Sequence, residues 1–118
     1  MTTLDDLYDK HDVPVVIVDN EGIIQYVNQK FLNVFEYQKD EIIEEHIVKI
    51  IPPDLRDAHN SGFSRYLSTG ESTIMEKELE LKAIKKGGEV FMATHYILSG
   101  KRDNKIQVGA TILPLVQK

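Results

Sequence analysis

Histidine is the residue type in this chain best suited to chemistry, and two of the four histidines are placed to do some. His59 lies within Ile51 to Gly70, which reads IPPDLRDAHNSGFSRYLSTG. It falls one turn after Leu55 and one turn before Phe63, on the apolar stripe of a helix. Gly62, three residues on, leaves a gap beside it. An imidazole there is either a satisfied structural group or a ligand for something held inside. His95 sits mid-way along EVFMATHYIL, where alternation puts it with Phe91, Ala93 and Ile97 and against Val90, Met92, Thr94 and Tyr96. Both rows are largely apolar, so the period alone leaves open which one is inside. Two histidines without a carboxylate or further ligand make a poor zinc site.

Other chemistries find little support. There is no cysteine, which removes disulfides, thiolate metal sites and cysteine nucleophiles. Ser64 and Ser68 fall outward on the helix, so no serine triad with His59 is expected. Lys85-Lys86-Gly87-Gly88 is not a phosphate loop, because no Lys-Ser/Thr pair follows and no helix opens there. His11 and His46 stand in polar, exposed-looking contexts and receive no role. Gly109, inside the last strand, marks a close backbone approach to a ligand or to the central helix. The chain is therefore not expected to be an enzyme.

The elements that must position these residues are legible. Pro52 and Pro53 stop what precedes them, Asp54 suits a helix N-terminus, and Gly70 suits its C-terminus, giving a helix over residues 54–69. Its stripe is Leu55, Ala58, His59, Gly62, Phe63, Tyr66 and Leu67. Thr3 and Asp5-Asp6 open a short amphipathic helix with Leu4, Leu7 and Tyr8 on one side. It must lie on something, either its own domain or a second copy. Val13–Asp19 and Gly22–Val27 form a hairpin, and Asn28 caps the helix that carries Phe31 and Phe35. Ile74–Ala83 alternates, with Met75, Leu79 and Leu81 on one side. Glu89–Leu98 is the fourth strand, Ser99–Asn104 a polar turn, and Lys105–Val116 the fifth.

The economical architecture is α+β: a five-stranded antiparallel sheet with helices on one face, plus the short N-terminal amphipathic helix. Residues 1–12 form that cap helix and residues 13–116 a single domain. The pocket belongs between the central helix and the sheet. With 118 residues, 42% of them apolar, the chain buries a core of its own. A net charge of −5 speaks against nucleic acid or an anionic membrane as a main partner. No signal pattern or membrane span is visible, so a cytoplasmic domain is expected.

In order and spacing these pieces resemble a PAS domain across nearly the whole chain, from about Val13 to Ile112. The carriers are a strand ending Val18-Asp19, a turn with Gly22, then IIQYVN, FLNVFEY with KDEII, IPPDLRDAH, YLSTGE and the KKGGEVF turn. Glu45 stands where such chains often have glycine, and LPLV replaces an aspartate-threonine pair near the end. The resemblance implies a sensory signalling module that binds a small ligand and acts on a downstream or separate effector; a homodimer is expected from the short N-terminal helix, whose stripe Leu4, Leu7 and Tyr8 should pack on the outer sheet face with a second copy contributing. The alternative it implies is a ligand-free module for dimerisation or partner docking.

Within that family the chain is most similar to the heme-binding oxygen sensors of the FixL and DOS type. Their pattern I/M-P-x-x-x-R-x-x-H, with a glycine eleven residues on, is met by Ile51, Pro52, Arg56, His59 and Gly70. The similarity implies heme b, with His59 as proximal iron ligand. On the distal side Leu79 stands where those sensors place an oxygen-binding arginine, Lys77 is the nearest basic residue, and Met75 becomes a sulfur ligand only if shifted by two residues. The resemblance also turns Phe91, Ala93, His95 and Ile97 towards the pocket. His59 and His95 would then bind a small anion, a carboxylic acid or a heme iron from two sides; the alternative for His95 is a structural histidine hydrogen-bonded to backbone or near Tyr96. His59, Phe63, Leu79 and Ile97 should line one cavity, with Gly62 and Gly109 giving it room.

Overall fold

The computed structural model describes residues 2–115 apart from Thr73. The chain runs α1 (Leu4–Tyr8), β1 (Val15–Val18), β2 (Ile24–Val27), α2 (Gln29–Phe35) and α3 (Lys39–Ile42). Two 3-10 turns, Ile47–Ile50 and Pro53–Leu55, lead into α4 (Arg56–Thr69), and β3 (Glu78–Ile84), β4 (Val90–Arg102) and β5 (Lys105–Pro114) follow. The strands make one antiparallel sheet in the order β2-β1-β5-β4-β3. The two ends of the chain thus pair in the middle of the sheet.

Local signals explain most boundaries. Thr3 and Asp6 form a reciprocal capping box at α1, and Asn28 caps α2. Gly70 ends α4 in the left-handed region, at φ 76°. The central helix begins at Arg56 because Pro53–Leu55 tightens into a 3-10 turn first. The third strand begins at Glu78, later than the alternation from Ile74 suggests: Glu76 has φ 58°, which breaks the extended run. Met75 makes an isolated parallel bridge with Ile97 instead. The turn expected over Ser99–Asn104 shrinks to Asp103-Asn104, both left-handed, so β4 continues to Arg102. The expected end of β5 at Val116 lies outside the described residues.

The sheet has two differently covered faces. On the inner face Val16, Val18, Ala83, Ala93, Val108 and Ile112 pack with Phe31, Phe35, Ile42 and Ile50. Phe31 and Phe35 are fully buried and stacked, with centroids 4.4 Å apart. Burying such a ring is worth roughly 1.5–3 kcal/mol. On the outer face Leu4 and Leu7 of α1 cover Val15, Ile17 and Leu98. The short N-terminal helix therefore lies across the sheet from the other helices.

Candidate functional site

Asn28 shows how the sequence builds the frame of the site. Its side chain is only 4% exposed and fully used. Oδ1 accepts from the Val15 and Phe31 backbone N–H groups, and Nδ2 donates to the Lys10 and Val13 carbonyls. One amide thereby joins the segment after α1, the start of β1 and the N-terminus of α2.

The site lies where α4 crosses the inner face. Of the α4 residues, Arg56, His59, Phe63, Tyr66 and Leu67 are half-buried, while Ala58 and Gly62 are exposed. At about 100° per residue, the covered face centres on His59, Phe63 and Tyr66. Gly62 falls on the uncovered flank, where a Cβ would meet nothing within 4 Å. The gap expected beside His59 therefore opens to solvent. Phe63 and Tyr66 pack against the inner core, and the His59 and Phe63 rings lie parallel within 11°, with centroids 6.0 Å apart. Arg56 Nε donates to the Ile51 carbonyl at 2.9 Å, tying the start of α4 to the segment before it.

Opposite α4, strand register places the remaining candidates. Leu79 pairs with His95 and His95 with Ile112, and directly opposed residues share a face. Ala93, Ile97 and Ile112 belong to the inner cluster, so Leu79 and His95 look the same way. The row Phe91, Ala93, His95, Ile97 is the inner one. Met75 joins it through its bridge to Ile97. Helix and sheet thus present His59 and Phe63 on one side and Leu79, His95, Ile97 and Met75 on the other. Leu81, on the same inner face, is still 38% exposed, so no helix closes that end.

Gly109 goes elsewhere. A Cβ there would lie 2.6 Å from Leu7 Cδ1 and 3.2 Å from Ile17 Cγ1, both in the outer cluster. Its missing side chain makes room for α1. His46 also departs from the sequence reading, which gave it no role. It is half-buried, its Nδ1 accepts from the Val48 N–H at 3.2 Å, and its ring fills the space that a Cβ on Gly22 would take. It caps the first 3-10 turn. The signal was its position directly before the apolar run Ile47-Val48-Lys49-Ile50, although histidine is not among the preferred caps.

Both site imidazoles are held towards the neutral form. Burial lowers the pKa of His59 below its ordinary 6.5; the Asn60 side chain opposes this and nearby His46 adds to it. Burial likewise lowers His95, opposed by its contact with the Ala93 carbonyl. In that 3.1 Å contact Nδ1 must be the donor, which leaves Nε2 of neutral His95 as an acceptor. The sign for stability follows. Below about pH 6.5 the unfolded chain takes up protons that these histidines in the folded chain resist, so stability falls as pH falls. Denaturation midpoints between pH 7.5 and 5 should decline, and the His59→Gln/His95→Gln double variant should show a shallower slope. An equal slope in both proteins would refute this assignment.

A ligand taken up here would meet an apolar wall and one or two neutral imidazoles, but among the described residues the two cavities found lie elsewhere, one lined by Thr2, Asp6, Asp9, Lys10, His11 and Asp12 and the other by residues that include Tyr8, Asp19, Arg102 and Gln107. Among the described residues no hydrogen bond joins His59 to His95, and no group of three or more His, Cys, Asp or Glu could hold a metal ion. No helix among the described residues is long and apolar enough to cross a membrane.

Comparison with known proteins agrees with the fold. A family described as "PAS domain" matches residues 12–113. An uncharacterised protein of Azorhizobium caulinodans is 34% identical over 80 residues, which cover 67% of this chain and 11% of that protein. A probable serine/threonine-protein kinase of Dictyostelium discoideum is 24% identical over 107 residues, covering 91% of this chain and 7% of the kinase. The chain thus spans about a tenth or less of these relatives. The crystal structure of the PAS domain of a Desulfitobacterium hafniense protein superposes with a TM-score of 0.75 at 21% identity, covering 92% of this chain and 97% of that one.

Proposed function

The chain belongs to the PAS domain family, and from that premise we propose that it is a sensory signalling module which holds a small ligand between α4 and the inner sheet face. Domains of this family typically serve sensing and signalling. One observation carries the ligand reading: two half-buried imidazoles stand on the facing surfaces of α4 and β4, next to an inner face that α4 leaves partly uncovered at Leu81. The proposal includes binding without catalysis, a cytoplasmic setting, and an effector reached through a longer chain or a separate protein. The kinase relative, of which this chain matches only a small part, supports the last point.

Heme does not fit the arrangement as it stands. The two glycines that would clear space for a macrocycle open elsewhere, Gly62 to solvent and Gly109 under α1. Phe63 and Tyr66 pack inward between helix and sheet. Leu79, in the distal arginine's place, offers no hydrogen bond to bound oxygen. The ligand we propose is therefore smaller than heme: a flat or aliphatic organic molecule with a carboxylate or another group that pairs with imidazole.

Native mass spectrometry of protein purified without denaturation should show an added small mass that is reduced in His59→Ala. An absorption spectrum after heme supply should show no Soret band attributable to the protein. A Soret band lost in His59→Ala would restore heme with His59 as its ligand. Bare protein mass throughout would favour the second reading, a ligand-free module for dimerisation. That reading has its own support in the uncovered outer-face residues Val90, Leu113 and Leu115.

A further inference from the structure

We propose that the free edge of β3 takes up an extended segment of a partner protein, antiparallel to β3, as one more strand of the sheet. The sheet has two edges, β2 and β3, and the chain treats them differently. It closes the β2 edge itself. Ile24 N–H donates to the Glu45 carbonyl and Glu44 N–H to the Ile24 carbonyl, both at 2.9 Å, and Ile47 N–H donates to the Gly22 carbonyl at 2.8 Å. The β3 edge has no such cover. Among the described residues, the backbone of Glu78 to Ala83 pairs with β4 alone. In an antiparallel ladder the N–H and C=O of one residue point to the same side, so every second residue of β3 turns both groups away from β4. Such a row of unpaired groups can template a further strand.

The side chains along this edge say which strand fits. The outer row is Glu78, Glu80 and Lys82, all exposed, and among the described residues none of the three is in an ion pair. The inner row is half-buried Leu79, exposed Leu81 and buried Ala83. A charged edge discourages indiscriminate pairing. Opposite charges directly across two strands attract, whereas like charges repel. From its N-terminal end, the segment that fits therefore reads acidic, apolar, basic, apolar, basic. Its acidic residue meets Lys82, its basic residues meet Glu80 and Glu78, and its apolar residues take Leu81 and Leu79 out of water. Strand addition of this kind draws affinity from the backbone and selectivity from the alternating side chains.

This goes beyond the ligand reading. The added strand would wall the site where α4 leaves it uncovered, yet its binding is read in protein without ligand. Failure to bind a strand is thus distinct from failure to find a ligand.

The test is a titration of isotope-labelled protein with the capped peptide TVEVKVKT, followed by amide NMR. Saturable shifts are expected over Glu78–Ile84, with little change in β2. The charge-swapped peptide TVKVEVET should bind about tenfold or more weakly. In the triple variant Glu78→Lys/Glu80→Lys/Lys82→Glu the preference should reverse; all three side chains are exposed, so the fold should survive. N-methyl groups on alternate residues of TVEVKVKT should abolish binding in one phase and spare it in the other, because only one set of its N–H groups faces β3. Absence of saturable shifts in β3 would overturn the proposal. So would equal affinity for the two charge orders, or equal effects of the two methylation phases. Shifts in β3 that grow with protein concentration without peptide would overturn it in favour of a second copy at this edge.

Discussion

Asn28→Ala is expected to lower the free energy of unfolding by about 2–4 kcal/mol, read as an earlier urea midpoint with an unchanged slope. The side chain makes four hydrogen bonds, all to backbone groups. A typical net contribution is about 1 kcal/mol each, and a buried backbone group left without a partner costs about 1–3 kcal/mol. Water entering the space left by the amide offsets part of that sum. Asn28→Asp separates the two halves of the network. It keeps acceptors for the Val15 and Phe31 N–H groups, but turns a second oxygen towards the Lys10 and Val13 carbonyls. It should therefore destabilise nearly as much as alanine near neutral pH, with partial recovery in acid, where a protonated carboxyl donates again. A loss below about 1 kcal/mol in Asn28→Ala would mean that these bonds add little beyond what water supplies.

Leu113→Glu is expected to abolish self-association, with sedimentation showing a dimer for the unaltered chain and the monomer mass for the variant. We propose the dimer from the outer face. The part of that face next to α1 is covered, whereas Val90 is 47% and Leu113 50% exposed. These residues form one patch, since Leu113 pairs with Thr94 and the Leu115 N–H bonds to the Met92 carbonyl. An apolar patch of this kind, bordered on β3 by exposed Glu80 and Lys82, suits a second copy related by a twofold axis, which lays the same patch on itself. A carboxylate placed at its centre must be desolvated without a partner, a cost large enough to weaken association by about a hundredfold or more. Leu113 is half-exposed in the single chain, so folding should survive the change. Unaltered chain that stays at the monomer mass at high concentration would sink the dimer.

The parts of this fold carried by local signals were legible in the sequence. β-branched runs, left-handed turn residues and the caps at Thr3, Asn28 and Gly70 mark the hairpins and helices without any tertiary information. Which face His95 occupies was not legible. The outer row of β4 is apolar for separate reasons, Tyr96 and Leu98 under α1 and Val90 in the patch that α1 leaves uncovered, so alternation alone has two solutions there. Gly109 repeats the difficulty: a strand glycine signals a close approach, yet its side is set by Leu7, roughly a hundred residues away in sequence. Gly62 was misplaced because a stripe counted from Leu55 and Ala58 is rotated from the one that packs. Tyr66 counts in the sequence as one member of a mostly apolar helix stripe, and its hydroxyl meets Ser99 only through the crossing of α4 over the sheet. His46 caps a turn that the apolar residues Ile47, Val48 and Ile50 do mark, but histidine is not a residue type that announces a cap.

The central claim is that small ligands enter between α4 and the inner face, and backbone amide spectra tested against a panel of small aromatic and aliphatic carboxylic acids address it most directly. The account predicts saturable shifts for at least one member at His59, Phe63, Leu79, Leu81, His95 and Ile97, with little change at Val90 or Leu113 on the outer face. His59→Ala should weaken that binding. Shifts confined to the outer face, or none that saturate anywhere, would contradict it.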